Sequence, residues 1–190
     1  MTKTRYHLLL VAFVFFIISC NRPINVGNKK PEISERESIE TKKILDYYIK
    51  HELKKDSIIL SEIPYIYKSK SDFEDAFKHI GQTNLNLDSL LAKSQKDTTL
   101  WSEAIAPASR IITRNDIHKL SYPVMLSNYN KVLGDGFFTL SHLIFSDDFK
   151  YAIMYSEYNC GSRCGSGNLL IFKMIDEKWK LIKTYNQVVF

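Results

Sequence analysis

The chain has 190 residues, three cysteines and a formal charge of +5. That length suits one domain, and 11 Tyr, 11 Phe and 2 Trp supply enough aromatic bulk to fill a core. The charge excess is small and the lysines are dispersed, without a run of five or six, which excludes a basic nucleic-acid-binding patch and leaves no nucleic acid among the expected partners.

Lys3 and Arg5 form a basic start, and Leu8–Ile18 follows as an uninterrupted apolar run. The run falls well short of the ~20 residues a mature membrane helix needs, so residues 1–19 read as a signal peptide. The run closes on Ile17-Ile18-Ser19-Cys20. This resembles the lipobox of bacterial lipoproteins, although leucine is commoner where Ile17 stands. The resemblance implies processing before Cys20 and lipidation of its sulfur and new amino group. More than one buried acyl chain makes a stable membrane anchor. Loss of Met1–Ser19 removes Lys3 and Arg5 and lowers the formal charge from +5 to +3. Several families of Bacteroidota lipoproteins carry acidic residues just after this cysteine as a surface-export signal. Asn21-Arg22-Pro23-Ile24 has none, so the resemblance implies an anchor in the cell envelope that faces the periplasm.

Residues 20–33, with Pro23, Gly27 and Pro31 and little apolar content, read as a flexible tether, and 34–190 as a single domain. Ser34 and Glu37 have capping-box spacing. Leu45, Tyr48, Ile49 and Leu53 then mark one apolar helix face, opposite a polar face with Glu40, Lys43, Lys50 and Lys54. Ser57–Tyr67 contains Pro64 and reads as an edge strand or extended connection. Ser71 and Glu74 form a second capping box before Phe73, Ala76, Phe77 and Ile80, and Gly81 stops that helix. Asn86 or Asp88 starts a third helix that buries Leu87, Leu90 and Leu91. Ile111-Ile112 reads as a short strand, and Asn115 and Asp116 as the cap of a short helix through Ile117 and Leu120.

The last fifty residues predict strands at Leu140–Ser146, Tyr151–Tyr158, Leu169–Ile175 and from Trp179 on, with turns at Asp147-Asp148 and Asp176-Glu177-Lys178. Short connections imply antiparallel pairing. The expected fold is therefore α+β, with N-terminal helices followed by a C-terminal antiparallel β-meander that carries a Cys-Gly hairpin loop.

That loop, Cys160-Gly-Ser-Arg-Cys-Gly-Ser-Gly167, is the densest cluster of special residues in the chain. A disulfide between Cys160 and Cys164 needs Cα atoms roughly 4.4–6.8 Å apart, and Gly161 and Gly165 supply the freedom to turn. Once Cys20 is lipidated these two cysteines are the remaining pair, and an exported compartment permits the bond. Three alternatives stand beside this structural reading. A redox dithiol ordinarily has two intervening residues at a helix N-terminus. Tetrahedral zinc needs two further ligands, and the histidines are scattered. An anion-binding nest along Gly165-Ser-Gly167 would open a helix, whereas Leu169–Phe172 is strand-like.

The C-terminal half also resembles a group of Bacteroidota proteins without an assigned activity. The matching residues are Leu140-Ser141, Phe145-Ser-Asp147, Tyr151-Ala152, Cys160-Gly161, Cys164-Gly165, Gly167 and Lys178-Trp179-Lys180, within about 110–185. The resemblance implies a shared sheet and brings no chemistry with it.

The leading expectation is a non-enzymatic, lipid-anchored binding or structural module with an envelope protein or component as partner. A thiol–disulfide protein that uses Cys160 and Cys164 is one alternative. A hydrolase is another, with His79, His118 or His142 as base. No nucleophile elbow or metal motif accompanies those histidines, so the sequence assigns no catalytic residue, no metal ligand and no cofactor.

Overall fold

The computed structural model describes residues 33–66, 68–79, 86–120, 133–161 and 164–189. Residues 1–32, with the expected signal segment, Cys20 and nearly all of the expected tether, lie outside the described residues, as do Ile80 and the Gly81 helix stop; Ile33, the last residue given to the tether, instead opens the first helix.

Helices and strands interleave in the first half instead of running helices first. The order is α1 (Ile33–Tyr47), β1 (Ile58–Ser61), α2 (Lys70–His79), α3 (Leu87–Lys96), β2 (Ser109–Ile112) and α4 (Arg114–Leu120). The second half is β3 (Phe137–Leu140), β4 (Ile144–Phe145), β5 (Tyr151–Gly161), β6 (Cys164–Ile175) and β7 (Lys178–Val189). The seven strands form one sheet in the order β2-β1-β3-β5-β6-β7, with β4 paired to β5. The class is α+β as expected, and the sheet is mostly antiparallel. The exception is β1, which runs parallel to both β2 and β3.

This corrects the edge-strand expectation for Ser57–Tyr67. The strand stops at Ser61 and sits between two neighbours, and Pro64 falls in the connection beyond it. There the Ile63 amide donates to Ser61 Oγ at 3.2 Å and the Tyr65 amide to the Leu140 carbonyl at 2.9 Å. The Leu140–Ser146 strand is likewise two strands, because Leu140 ends β3 and Ile144 opens β4.

Alternation along β5 and β6 sends apolar side chains to both faces. Ala152, Met154, Leu170 and Phe172 face one side, where Ile44 and Leu45 of α1 and Tyr48 and Ile49 just beyond it pack with Trp101 and Trp179. Ile153, Leu169 and Ile171 face the other, under Phe73, Ala76 and Phe77 of α2 and Leu90 of α3. Further along that second face, Ile117 of α4 packs against Ile112, Leu133 and Phe137. The result is a sheet covered on both sides. Burial dominates the docking of α2. Each buried phenylalanine is worth ~1.5–3 kcal/mol, whereas the exposed helical pair Lys70–Glu74 is screened by solvent and adds little.

Local signals fix most helix ends. Asn86 caps α3, its Oδ1 accepting from the Ser89 amide at 3.1 Å. Thr113, not Asn115 or Asp116, caps α4. Thr113 Oγ1 accepts from the Asp116 amide at 3.2 Å and Asp116 Oδ2 accepts from the Thr113 amide at 3.1 Å. Helices α1 and α2 each begin one residue before Ser34 and Ser71, so those serines are second residues and not caps. Helix α1 continues as a π-helical turn, Tyr48–Glu52, closed by the Leu53 amide on the Tyr48 carbonyl at 3.0 Å. Lys54, in left-handed conformation at φ 54°, then turns the chain toward β1.

Glu40 departs from its place on the predicted polar face. It is 8% exposed, accepts from Trp179 Nε1 at 2.7 Å and holds Lys43 at 2.9 Å. The indole lies 139 positions away in sequence, beyond any helical periodicity.

Candidate functional site

Strands β5 and β6 pair without a gap from Tyr151↔Lys173 to Asn159↔Gly165, and Gly161↔Cys164 follows a register shift. Cys164-Gly-Ser-Gly167 therefore belongs to β6, which leaves no open nest of amides there. Residues 162 and 163 lie outside the described residues. Cys160 and Cys164 form a disulfide with Cα atoms 5.1 Å apart, within the unstrained range. Cys160 is half-buried and Cys164 exposed, and both stand on strands instead of at a helix N-terminus.

Gly167 has a packing reason for lacking a side chain. A Cβ there would overlap the Tyr155 hydroxyl. The Tyr155 ring lies 4.2 Å from that of Tyr65. Burial pushes the Tyr155 phenol up to about 12, and the nearby Tyr65, Glu157 and Asp72 add to the shift.

The three histidines of the hydrolase reading stand on separate elements. His118 is exposed on α4, and the side chain of His79 lies outside the described residues. His142 follows β3. Its ring packs 4.5 Å from that of Trp101, its Nε2 donates to the Thr99 carbonyl at 2.7 Å, and Asp97 Oδ1 stands 3.7 Å away. Its Nε2 proton is thus committed to the backbone, and the cleft of about 360 Å³ beside it brings in Glu37, Lys93 and Ser94. Ser94 Oγ donates to the Leu91 carbonyl at 2.7 Å. Among the described residues, no three His, Cys, Asp or Glu side chains come together as a metal-binding group.

The second concavity lies at the disulfide end of the sheet, on the α1 face. Beyond Met154 and Leu170 that face changes character, to Ser156 and Tyr158 on β5 and Asn168 and Ser166 on β6. Helix α1 ends above this point, and the chain leaves through Leu53 and Lys55. The gap is a furrow of about 310 Å³ with Ser156, Ser166 and Asn168 along it, Tyr158 and Phe138 beside it, and Lys55 at its mouth. Tyr48 Oη donates to Ser156 Oγ at 3.0 Å, and this leaves the serine its own hydrogen to give. Burial raises the Tyr48 phenol, which keeps it a donor, although Ser156 draws it back somewhat. A second hollow of about 210 Å³ adjoins, sharing Lys55, Phe138 and Tyr158 and adding Arg110 and Asp135.

Tyr158 is held firmly. Its hydroxyl donates to the Asp135 carbonyl and its ring packs 4.9 Å from Phe138. Gly136, at φ 142°, passes directly beneath, where a side chain would run into the Asn159 carbonyl and the Tyr158 ring. Sequence reading did not assemble this furrow. Tyr48 carried only a helix-face signal, Ser156 lay inside an apparent strand, Ser166 was weighed only as part of a backbone nest, and Asn168 fell between the loop and the next strand with nothing local to mark it.

Comparison of the chain with family models, with curated proteins and with solved structures finds no match.

Proposed function

We propose that the chain is a lipoprotein of the bacterial cell envelope, anchored through Cys20 and facing the periplasm, whose domain binds a ligand or an envelope partner without turning it over. One observation carries the binding half of this reading. The disulfide-end furrow gathers hydroxyl and amide side chains on a sheet face that is otherwise apolar. Polar groups on such a face lower stability unless something pairs with them, so their concentration in one concavity favours recognition. The Cys-Gly segment fits this role as a hairpin tip whose disulfide steadies the strands that carry Ser166 and Asn168. The resemblance of Ile17–Cys20 to a lipobox supports the anchor, and an exported compartment agrees with a closed disulfide.

Fractionation of cells that express the wild-type chain and Cys20→Ala tests the anchor. The wild type is expected in the membrane fraction, released by detergent and not by salt. The variant is expected to lose that partition while its domain keeps the wild-type thermal transition. Membrane retention of Cys20→Ala would refute lipid anchoring at this residue.

A further inference from the structure

We infer that the disulfide-end furrow takes a single saccharide ring that carries a carboxylate, a proposal that rests on the reading of the domain as a binding module. Size comes first. At about 310 Å³ the furrow lies at the small end of ligand sites, enough for one pyranose with its substituents. Its chemistry then narrows the class. Ser156 is 2% exposed, receives the Tyr48 hydroxyl and retains a hydrogen to donate. The side chains of Ser166 and Asn168 make no hydrogen bond among the described residues. Hydroxyls and an amide can both donate and accept, which is what a polyhydroxylated ring demands of its partners. An apolar ligand would instead leave these groups buried without partners.

The wall and the mouth supply the rest. The half-buried ring of Tyr158, backed by the buried Phe138, presents an apolar surface for the C–H face of a sugar, and the Tyr158–Asp135 bond fixes that surface in place. Lys55 is the cation of this furrow, and it makes no ion pair among the described residues. One ammonium matches one carboxylate. A phosphate, with about twice the charge, would call for a cluster of cations or amides that converge on it.

The test uses full-length, lipidated, ¹⁵N-labelled protein in detergent micelles, titrated with three probes. N-acetylmuramic acid has ring and carboxylate, N-acetylglucosamine has the ring alone, and lactate has the carboxylate alone. N-acetylmuramic acid is expected to move the amide resonances of Ser156, Ser166 and Asn168. N-acetylglucosamine should move the same resonances with about tenfold weaker affinity, the usual effect of losing a charge-assisted hydrogen bond. Lactate should leave them in place. Lys55→Met should bring the two sugars to equal affinity. Asn168→Leu should weaken both while the amide spectrum elsewhere shows the fold retained. The inference is overturned if neither sugar moves these three amides, if lactate moves them as strongly as the acidic sugar, or if Lys55→Met leaves the preference intact. The two readings fail separately. A chain lipidated on Cys20 whose furrow ignores both sugars loses this ligand class and keeps its anchor. A chain that binds the acidic sugar without lipid on Cys20 does the reverse.

Discussion

Glu40 and Trp179 show how one pair of side chains ties the first helix to the last strand. The indole N–H is buried and Glu40 Oε2 is its acceptor at 2.7 Å. Glu40→Leu leaves that donor without a partner and is expected to destabilise the domain by ~1–3 kcal/mol. Glu40→Gln keeps an acceptor oxygen and should cost clearly less. Denaturant midpoints of the two variants measure the difference, and equal midpoints would mean the bond contributes nothing. Gly167 makes a steric case. Gly167→Ala drives a methyl group into the Tyr155 hydroxyl and should cost ~1–3 kcal/mol. Combined with Tyr155→Ala, which vacates the space, the added cost should largely disappear, and a double-mutant cycle reads that coupling directly. Strict additivity would show that the methyl group finds room elsewhere. Neither residue was legible in sequence, for the same reason. A carboxylate on a helix reads as solvent-facing, and a glycine that closes a cysteine-glycine loop reads as part of that loop, until the residue that packs against it is known.

Elements were legible where a local rule sufficed. Leu45, Tyr48 and Ile49 mark the buried face of α1 and its π-helical continuation, Asn86 caps α3, and Asp176-Glu177 turns β6 into β7 with both residues in left-handed conformation. The failures involve partners. Pro64 suggested an edge strand because proline cannot serve in a ladder, yet β1 ends before it and pairs on both sides. Parallel neighbours distant in sequence leave no hairpin signature, so β1, β2 and β3 could not be assembled from their own residues. The disulfide sits on elements the sequence did place, although β6 begins at Cys164 and not at Leu169. Its ring is small, and loop entropy assigns it about 2 kcal/mol. Cys160→Ser with Cys164→Ser should lower unfolding stability by about that much and leave the far-ultraviolet circular dichroism unchanged. Loss of the folded signal altogether would mean the bond does more than shorten the unfolded chain's reach.

At the scale of the molecule, a sheet covered on both faces buries phenols that stay protonated at neutral pH. Tyr48, Tyr65 and Tyr158 are all pushed upward chiefly by burial, and Tyr155 reaches about 12. The folded state therefore binds these protons more tightly than the unfolded chain, whose phenols titrate near 10. Their contribution to stability is complete below about pH 10 and is lost as pH rises toward 12. Thermal melts across that window should show a falling midpoint, with a shallower fall in Tyr155→Phe. A midpoint that does not move between pH 10 and 12 would contradict the shifts. The furrow is also a property of the whole. Tyr48, Ser156 and Asn168 come from three elements and meet only because α1 ends where the sheet face turns polar.

Anchor and disulfide are tested together by the intact mass of the protein extracted from membranes, taken with thiol alkylation before and after reduction. The expected species begins at Cys20, carries its acyl groups there, and takes up alkyl groups on Cys160 and Cys164 only after reduction. An unlipidated chain, or one whose two C-terminal cysteines alkylate without reduction, would contradict this expectation.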